Sequence, residues 1–190
     1  MMYVSHILTD VENLGPGKRV CVWFCGCSKN CDGCCSPEFR SRRNAVEISP
    51  EELADIVNSK VIMSGADGIS LSGGDPLEQE DITVFLSLLN TRNVLVFTGF
   101  TYEEICRNGL YSQIKGYVAA VKCGRYVRES DVGHPLMGSS NQEMIYSAPL
   151  FEKLFESYIM AHDRKICYYR LNGKKYFTGL PGKGGTDSEQ

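Results

Sequence analysis

Residues 19–35, RVCVWFCGCSKNCDGCC, pass from an apolar run directly into a loop crowded with cysteine. The β-branched and aromatic content of residues 19–25 predicts a strand, read as the first in the chain. Cys27, Cys31 and Cys34 follow it at C-x3-C-x2-C spacing. Thiolates that close can converge on one metal centre from a single loop, and thiolate sulfur suits iron–sulfur clusters and zinc. A structural zinc takes four protein ligands, commonly as two pairs, whereas Cys106, Cys123 and Cys167 stand isolated and His6, His134 and His162 form no ligand-spaced pair. Three ligands on a four-iron cluster leave one iron open to bind something else, which is a catalytic arrangement. Two other readings stay open: a structural zinc knuckle that recruits Cys21, Cys25 or Cys35, and inert thiols packed as small hydrophobes. Cys21 suits the last of these, and Cys106, Cys123 and Cys167 read as packing.

Outward from this loop, short apolar runs alternate with helical stretches, the pattern of parallel strands joined by crossover helices. Further strands are predicted at residues 68–72 (GISLS), 93–98 (NVLVFT) and 117–122 (YVAAVK). Ser49-Pro50-Glu51-Glu52 reads as a capping box that opens a helix through about residue 59, and Thr101-Tyr102-Glu103-Glu104 as a second, opening a short helix that Gly109 ends. A helix over about residues 77–89 follows a Gly-Gly turn. Residues 124–141 read as loop, and residues 149–162 as a helix with Leu150, Leu154, Phe155, Tyr158 and Ile159 on one stripe. Residues 165–170 and 174–177 flank Asn172-Gly173, a hairpin signal. Four βα-type units are too few to close an eight-stranded barrel. The expected fold is therefore α/β: a partial (open) βα barrel of parallel strands with outer helices, plus a C-terminal β-hairpin. Residues 1–181 make one domain, and 182–190, without apolar content, a disordered tail.

The chain has 190 residues, 43% hydrophobic and 23% charged, which bounds it to an ordinary globular domain. A net charge of −3 argues against gripping a nucleic-acid backbone. Residues 1–20 lack the pattern of a signal peptide, and no window approaches the roughly 18 to 20 apolar residues of a membrane helix. Nine cysteines, an odd number, fit a reduced compartment better than a disulfide framework. The expectation is a cytoplasmic protein without nucleic-acid or membrane partners.

Ser72-Gly73-Gly74-Asp75-Pro76 follows the second predicted strand. Glycines there let backbone approach a ligand closely, although a tight strand-to-helix connection needs them as well. The turn ends a strand just as the cysteine loop does, and in βα folds such ends form the ligand face.

Taken together, these motifs resemble the radical S-adenosylmethionine superfamily, and within it the activating proteins of anaerobic (class III) ribonucleotide reductase. The resemblance is carried by Gly15-Pro16-Gly17, residues 19–34, residues 71–77 (LSGGDPL), Phe97-Thr98-Gly99-Phe100, Gly124-Arg125-Tyr126 and Gly138-Ser139-Ser140-Asn141-Gln142. It extends over about residues 6–148. The chain departs from the family pattern at Cys35 (commonly aromatic), Cys25 (commonly Ser or Gln) and Cys123 (commonly Asp), and the segment after about residue 160 is additional.

The resemblance implies a [4Fe–4S] cluster on Cys27, Cys31 and Cys34, with S-adenosyl-L-methionine on the fourth iron. One electron from a flavodoxin- or ferredoxin-like donor would cleave it to methionine and a 5′-deoxyadenosyl radical. That radical would take a hydrogen from a glycine of the anaerobic ribonucleotide reductase large subunit, leaving a glycyl radical. Gly73 and Gly74 would offer backbone groups to the methionine ammonium, with Asp75 as counter-charge and Thr98 as a further hydrogen-bonding group. Lys122 would pair with the methionine carboxylate or ribose, its alternative being a solvent-exposed lysine. Asn141 and residues 138–140 are candidates for adenosine contacts. Arg40, Arg42 and Arg43 read as a solvated face, or else as a dock for an acidic partner. Two other functions compete. One is a stand-alone enzyme of the same superfamily, like the carboxy-deazaguanine synthases, with Lys174, Lys175 and Tyr176 helping to form a substrate pocket. The other is a non-enzymatic iron–sulfur or zinc module.

Overall fold

The computed structural model describes residues 1–171 and 173–180, together with the backbone of residues 186–189. Its centre is a seven-stranded sheet. The chain opens with β1 (Met2–Val11), which pairs antiparallel with β2 (Arg19–Phe24) on one side and with the short β3 (Val46–Ile48) on the other. The predicted first strand is thus the second. Parallel pairing then joins β2 to β4 (Gly68–Gly73), β4 to β5 (Val94–Phe97) and β5 to β6 (Ala120–Cys123). An antiparallel edge strand, β7 (Glu143–Tyr146), closes the order β3-β1-β2-β4-β5-β6-β7, and the sheet does not close on itself among the described residues.

Burial of β2 on both faces follows from its place between β1 and β4. Val20, Val22 and Phe24 face one side, with Leu53, Ala54 and Val57 of α1 (Pro50–Ser64) and Phe85 and Leu86 of α2 (Ile82–Ser87). Ile105 of α3 (Tyr102–Arg107) and Ile114 of α4 (Leu110–Ile114) extend the same core. Ser49 caps α1 by accepting from the Glu52 amide at 3.1 Å, and Gly65 ends it in the left-handed region at φ 62°. Only the Thr101 cap is a reciprocal box, with Thr101 Oγ1 accepting from the Glu104 amide and Glu104 Oε2 from the Thr101 amide. The predicted helix over 77–89 is divided. A 3-10 turn, Pro76–Glu78, precedes α2, and Gln79 between them is extended.

The opposite face carries α5 (Pro149–Ala161), so this helix is not with the others. Phe155 and Tyr158 bury against Leu95, Ala120 and Leu136. Leu150 and Leu154, expected on the buried stripe, are exposed. Beside α5, β8 (Lys165–Leu171) and β9 (Lys174–Thr178) form the expected hairpin, although Asn172 of its turn lies outside the described residues. Tyr169, Leu171 and Tyr176 of this hairpin cover Leu8, Val11, Leu14, Cys21 and Trp23 of the sheet. Within the expected tail, β10 (Thr186–Glu189) pairs parallel with β8, while residues 181–185 and 190 lie outside the described residues.

Buried polar groups tie the layers together. The Arg19 guanidinium is fully buried and donates to Ser70 Oγ, the Pro16, Ile69 and Asn93 carbonyls and Asn93 Oδ1 at 2.6–3.3 Å. The Gly15-Pro16-Gly17 segment therefore serves this knot. Gly17 has φ 70°, and a Cβ there would stand 2.4 Å from the Asp67 carboxylate. Arg164 joins the hairpin to the 124–141 loop, donating to both oxygens of Asp131 at 2.9 and 3.0 Å and to the Met137 carbonyl. No helix among the described residues is long and apolar enough to cross a membrane.

Candidate metal centre

Because β2, β4, β5 and β6 are parallel, the segments that leave their C-terminal ends meet along one edge. The cysteine loop leaves β2, the glycine turn leaves β4, Thr98-Gly99 leaves β5 and Gly124-Arg125-Tyr126 leaves β6. They enclose a cavity of about 150 Å³ whose wall includes Cys27, Cys31, Cys34, Gly73, Gly74, Asp75, Thr98 and Lys122. All but one of the site residues expected from sequence are therefore brought together. Asn141 is the exception. It is exposed and donates to the Arg125 carbonyl at 2.9 Å, while its neighbour Gln142 lines the cavity. Gln142 Oε1 accepts from the Gly138 amide at 2.7 Å, and its Nε2 donates to the Gly124 carbonyl at 2.8 Å, so it holds two walls together.

The three cysteines are half-buried, which suits a ligand group that must both exclude water and admit a metal. The loop that bears them is fixed at several points. The Gly26 and Cys27 amides donate to the Phe39 and Arg40 carbonyls at 2.8 and 3.1 Å, and Arg40 donates to the Cys31 carbonyl. Burial pushes the Cys27 thiol above its ordinary pKa, and the nearby Asp75 and Glu78 carboxylates add to this. Such a thiol reaches its thiolate form most readily when a metal takes the proton's place. Cys35 also faces the cavity, with its thiol raised by burial. Cys21 and Cys123 are core thiols pushed up to about 12 by burial, Cys25 and Cys167 are buried, and Cys106 is exposed. No second pair of zinc-type ligands joins Cys27, Cys31 and Cys34 among the described residues; the one cluster of potential ligands is Cys27 with Asp75 and Glu78.

The glycine turn is shaped by the cysteine loop itself. Gly73 has φ 101°, and a Cβ there would meet the Phe24 carbonyl at 2.3 Å; at Gly74 it would meet the Gly26 carbonyl at 2.4 Å. The Gly74 and Asp75 amides donate to the Phe24 and Gly26 carbonyls at 2.8 and 2.9 Å. Asp75 is almost fully buried and accepts from four donors: the Leu77 amide at 3.0 Å, Thr98 Oγ1 at 2.8 Å, the Gly99 amide at 2.9 Å and Lys29 Nζ at 3.1 Å. The Thr98 hydroxyl is accordingly given to Asp75. Lys122 differs: its ammonium faces the cavity with the Phe97 ring 5.9 Å away, and burial lowers its pKa.

Sequence reasoning passed over Lys29 and Glu78. Lys29 sits in the middle of the cysteine loop, and its side chain is only 3% exposed. Of the hairpin residues offered to a substrate pocket, Lys174 and Lys175 are exposed and Tyr176 packs on His6; Leu180 alone of the C-terminal segment lines the cavity among the described residues.

Comparison with known proteins agrees with this geometry. The family described as a 4Fe-4S single cluster domain matches residues 13–145. Similar proteins named anaerobic ribonucleoside-triphosphate reductase-activating protein occur in Vibrio cholerae serotype O1 (27% identical over 154 residues, 75% of this chain and 96% of the relative) and Escherichia coli K12 (28% over 153 residues, 75% and 96%). Another is found in Enterobacteria phage T4 (27% over 137 residues, 68% and 85%). The family match spans more than half of the chain and contains the whole cysteine loop, so the protein belongs to the 4Fe-4S single cluster domains.

Proposed function

We propose that this chain is a radical S-adenosylmethionine activase that installs a glycyl radical on the large subunit of anaerobic ribonucleoside-triphosphate reductase. It would work in the cytoplasm with a flavodoxin- or ferredoxin-like electron donor. The observation that carries the reading is the convergence of three cysteines, the glycine turn and the Lys122 ammonium on one cavity at the ends of parallel strands. The names of the similar proteins support it. The open sheet is read accordingly, as the partial βα barrel of the radical S-adenosylmethionine type.

When bound, the cluster and S-adenosylmethionine supply one-electron cleavage chemistry; the chain supplies place and charge. Cys27, Cys31 and Cys34 would hold the cluster. The amides of Gly74 and Asp75 are committed to the cysteine loop, so the turn offers an amine its carbonyl oxygens. Lys122 would pair with the methionine carboxylate. Asp75 acts as counter-charge within its bonded network, and Thr98 holds it in place. Gly138 and Gln142, which line the cavity where Asn141 does not, would contact the adenosine.

The test is the iron content of anaerobically reconstituted variants, with EPR of the reduced protein. Cys27→Ala, Cys31→Ala and Cys34→Ala each abolish cluster assembly, while Cys25→Ser does not. The wild-type signal changes shape on adding S-adenosylmethionine, and a glycyl radical then appears in the reductase. A full iron complement in any of the three alanine variants overturns the ligand assignment, and a signal indifferent to S-adenosylmethionine overturns the activity.

A further inference from the structure

We infer that Lys29 is a positioning residue for the cluster, its ammonium locking the cysteine loop to the glycine turn and offsetting two carboxylates that stand against Cys27. The inference rests on Cys27, Cys31 and Cys34 being the cluster ligands. Lys29 lies between the first two of them, and its Nζ is 3.1 Å from Asp75 Oδ2, 2.5 Å from Glu78 Oε1 and 3.0 Å from the centre of the Phe100 ring. Glu78 also accepts from the neighbouring Ser28, from its amide at 3.0 and 3.1 Å and from its hydroxyl at 2.8 Å. The segment between Cys27 and Cys31 is therefore held by two carboxylates from a separate segment of the chain, one from the glycine turn and one from the 3-10 turn after it.

Charge gives this arrangement a consequence beyond anchoring. Ligand atoms of Cys27, Asp75 and Glu78 lie within 4.8 Å of one another. A cluster on three thiolates is already anionic and gains a further negative charge on reduction, so two adjacent carboxylates oppose that reduction. The Lys29 ammonium, buried where screening by water is weak, cancels one of them. Net charge near a cluster is among the determinants of its potential. Lys29 thus fixes where the loop sits and how readily its cluster accepts an electron.

Anaerobic redox titration of reconstituted protein, followed by EPR with iron and sulfide counts, tests this on Lys29→Met, Glu78→Gln and the double variant. At a fixed poise the reduced fraction falls about tenfold in Lys29→Met, equivalent to about 59 mV for a one-electron couple, and rises in Glu78→Gln. The double variant returns toward wild type, because one charge of each sign has gone although the lock is lost. A purely mechanical role would not give shifts of opposite sign. If Lys29→Met takes up no iron, the Glu78→Gln shift decides: a rise supports the inference, and no rise overturns it. Loaded Lys29→Met with an unchanged titration overturns it alone, whereas wild-type protein that takes up no iron overturns the ligand assignment with it.

Discussion

Replacing Asp75 with asparagine keeps the shape of the side chain and removes half of its accepting capacity. In the structure Oδ1 receives the Leu77 amide and the Thr98 hydroxyl, while Oδ2 receives the Gly99 amide and the Lys29 ammonium. An asparagine amide has one accepting oxygen and one donating nitrogen. Whichever way it turns, its NH2 confronts one of those two pairs. Thr98 can rotate its hydroxyl, but an amide proton or the Lys29 ammonium is left facing a donor in either orientation. A buried donor that loses its acceptor costs about 1–3 kcal/mol, and breaking a buried ion pair costs about 3–5 kcal/mol. Asp75→Asn should therefore destabilise the chain by about 3–5 kcal/mol, a large share of a typical domain stability of about 5–15 kcal/mol. Urea unfolding followed by far-UV circular dichroism, with wild type and variant at one pH and salt, measures it. A loss below about 1 kcal/mol with an unchanged m-value would refute the reasoning, because it would mean that the four donors do not depend on this carboxylate.

Arg19→Lys should cost about 3 kcal/mol by the same assay, since an ammonium cannot reach the spread of acceptors that the guanidinium fork serves. Retention of the wild-type midpoint would sink that account. His6 is buried between Trp23 and Tyr176, its Nε2 has no hydrogen-bond partner, and burial depresses its pKa to about 4. The unfolded chain binds this proton near the ordinary value of about 6.5, so stability is complete above that pH and falls by up to about 1.4 kcal/mol per unit down to about pH 4. His6→Phe should flatten the unfolding midpoint over that window, and an undiminished slope would assign the loss to other groups. Gly74→Ala drives a methyl onto the Gly26 and Phe39 carbonyls, so it should cost about 1–3 kcal/mol and lower the iron content after reconstitution. Full iron uptake by that variant would show that the turn and the loop can part without harm.

The parallel strands were legible because each is a short apolar run closed by glycine or a cap, signals that are local. β1 was missed: His6 interrupts the alternation of Met2, Val4 and Leu8, and the cover that makes it apolar, Trp23 and Tyr176, comes from distant segments. β3 has only three residues, with Val46 and Glu47 exposed, and leaves no periodic trace. Spacing alone sufficed to bring Cys27, Cys31 and Cys34 to one cavity, since a loop that short keeps them together. Lys29 was illegible for the opposite reason. Its burial depends on Asp75 and Glu78, some fifty positions away in the chain, and nothing beside it announces them. Asn141 lies just off the cavity wall, because the turn after Ser139 directs Gln142 inward and Asn141 out. Along α5 the stripe was sound in period but too wide, because the sheet face beneath it receives Phe155 and Tyr158 and leaves Leu150 and Leu154 in water.

The C-terminal hairpin has a meaning for assembly. The similar proteins are matched over 95% or more of their own length by about three-quarters of this chain in the Vibrio cholerae and Escherichia coli cases, so a quarter of it is extra. The hairpin carries no cysteine of the cluster loop, yet β8 and β9 lie over Leu8, Leu14 and Trp23 and are pinned by Asn13 to Thr178 and Arg164 to Asp131. A chain cut before Lys165 would present that apolar face to water, and faces of this kind are commonly reburied by self-association. The hairpin does within one polypeptide what a second subunit would otherwise have to do.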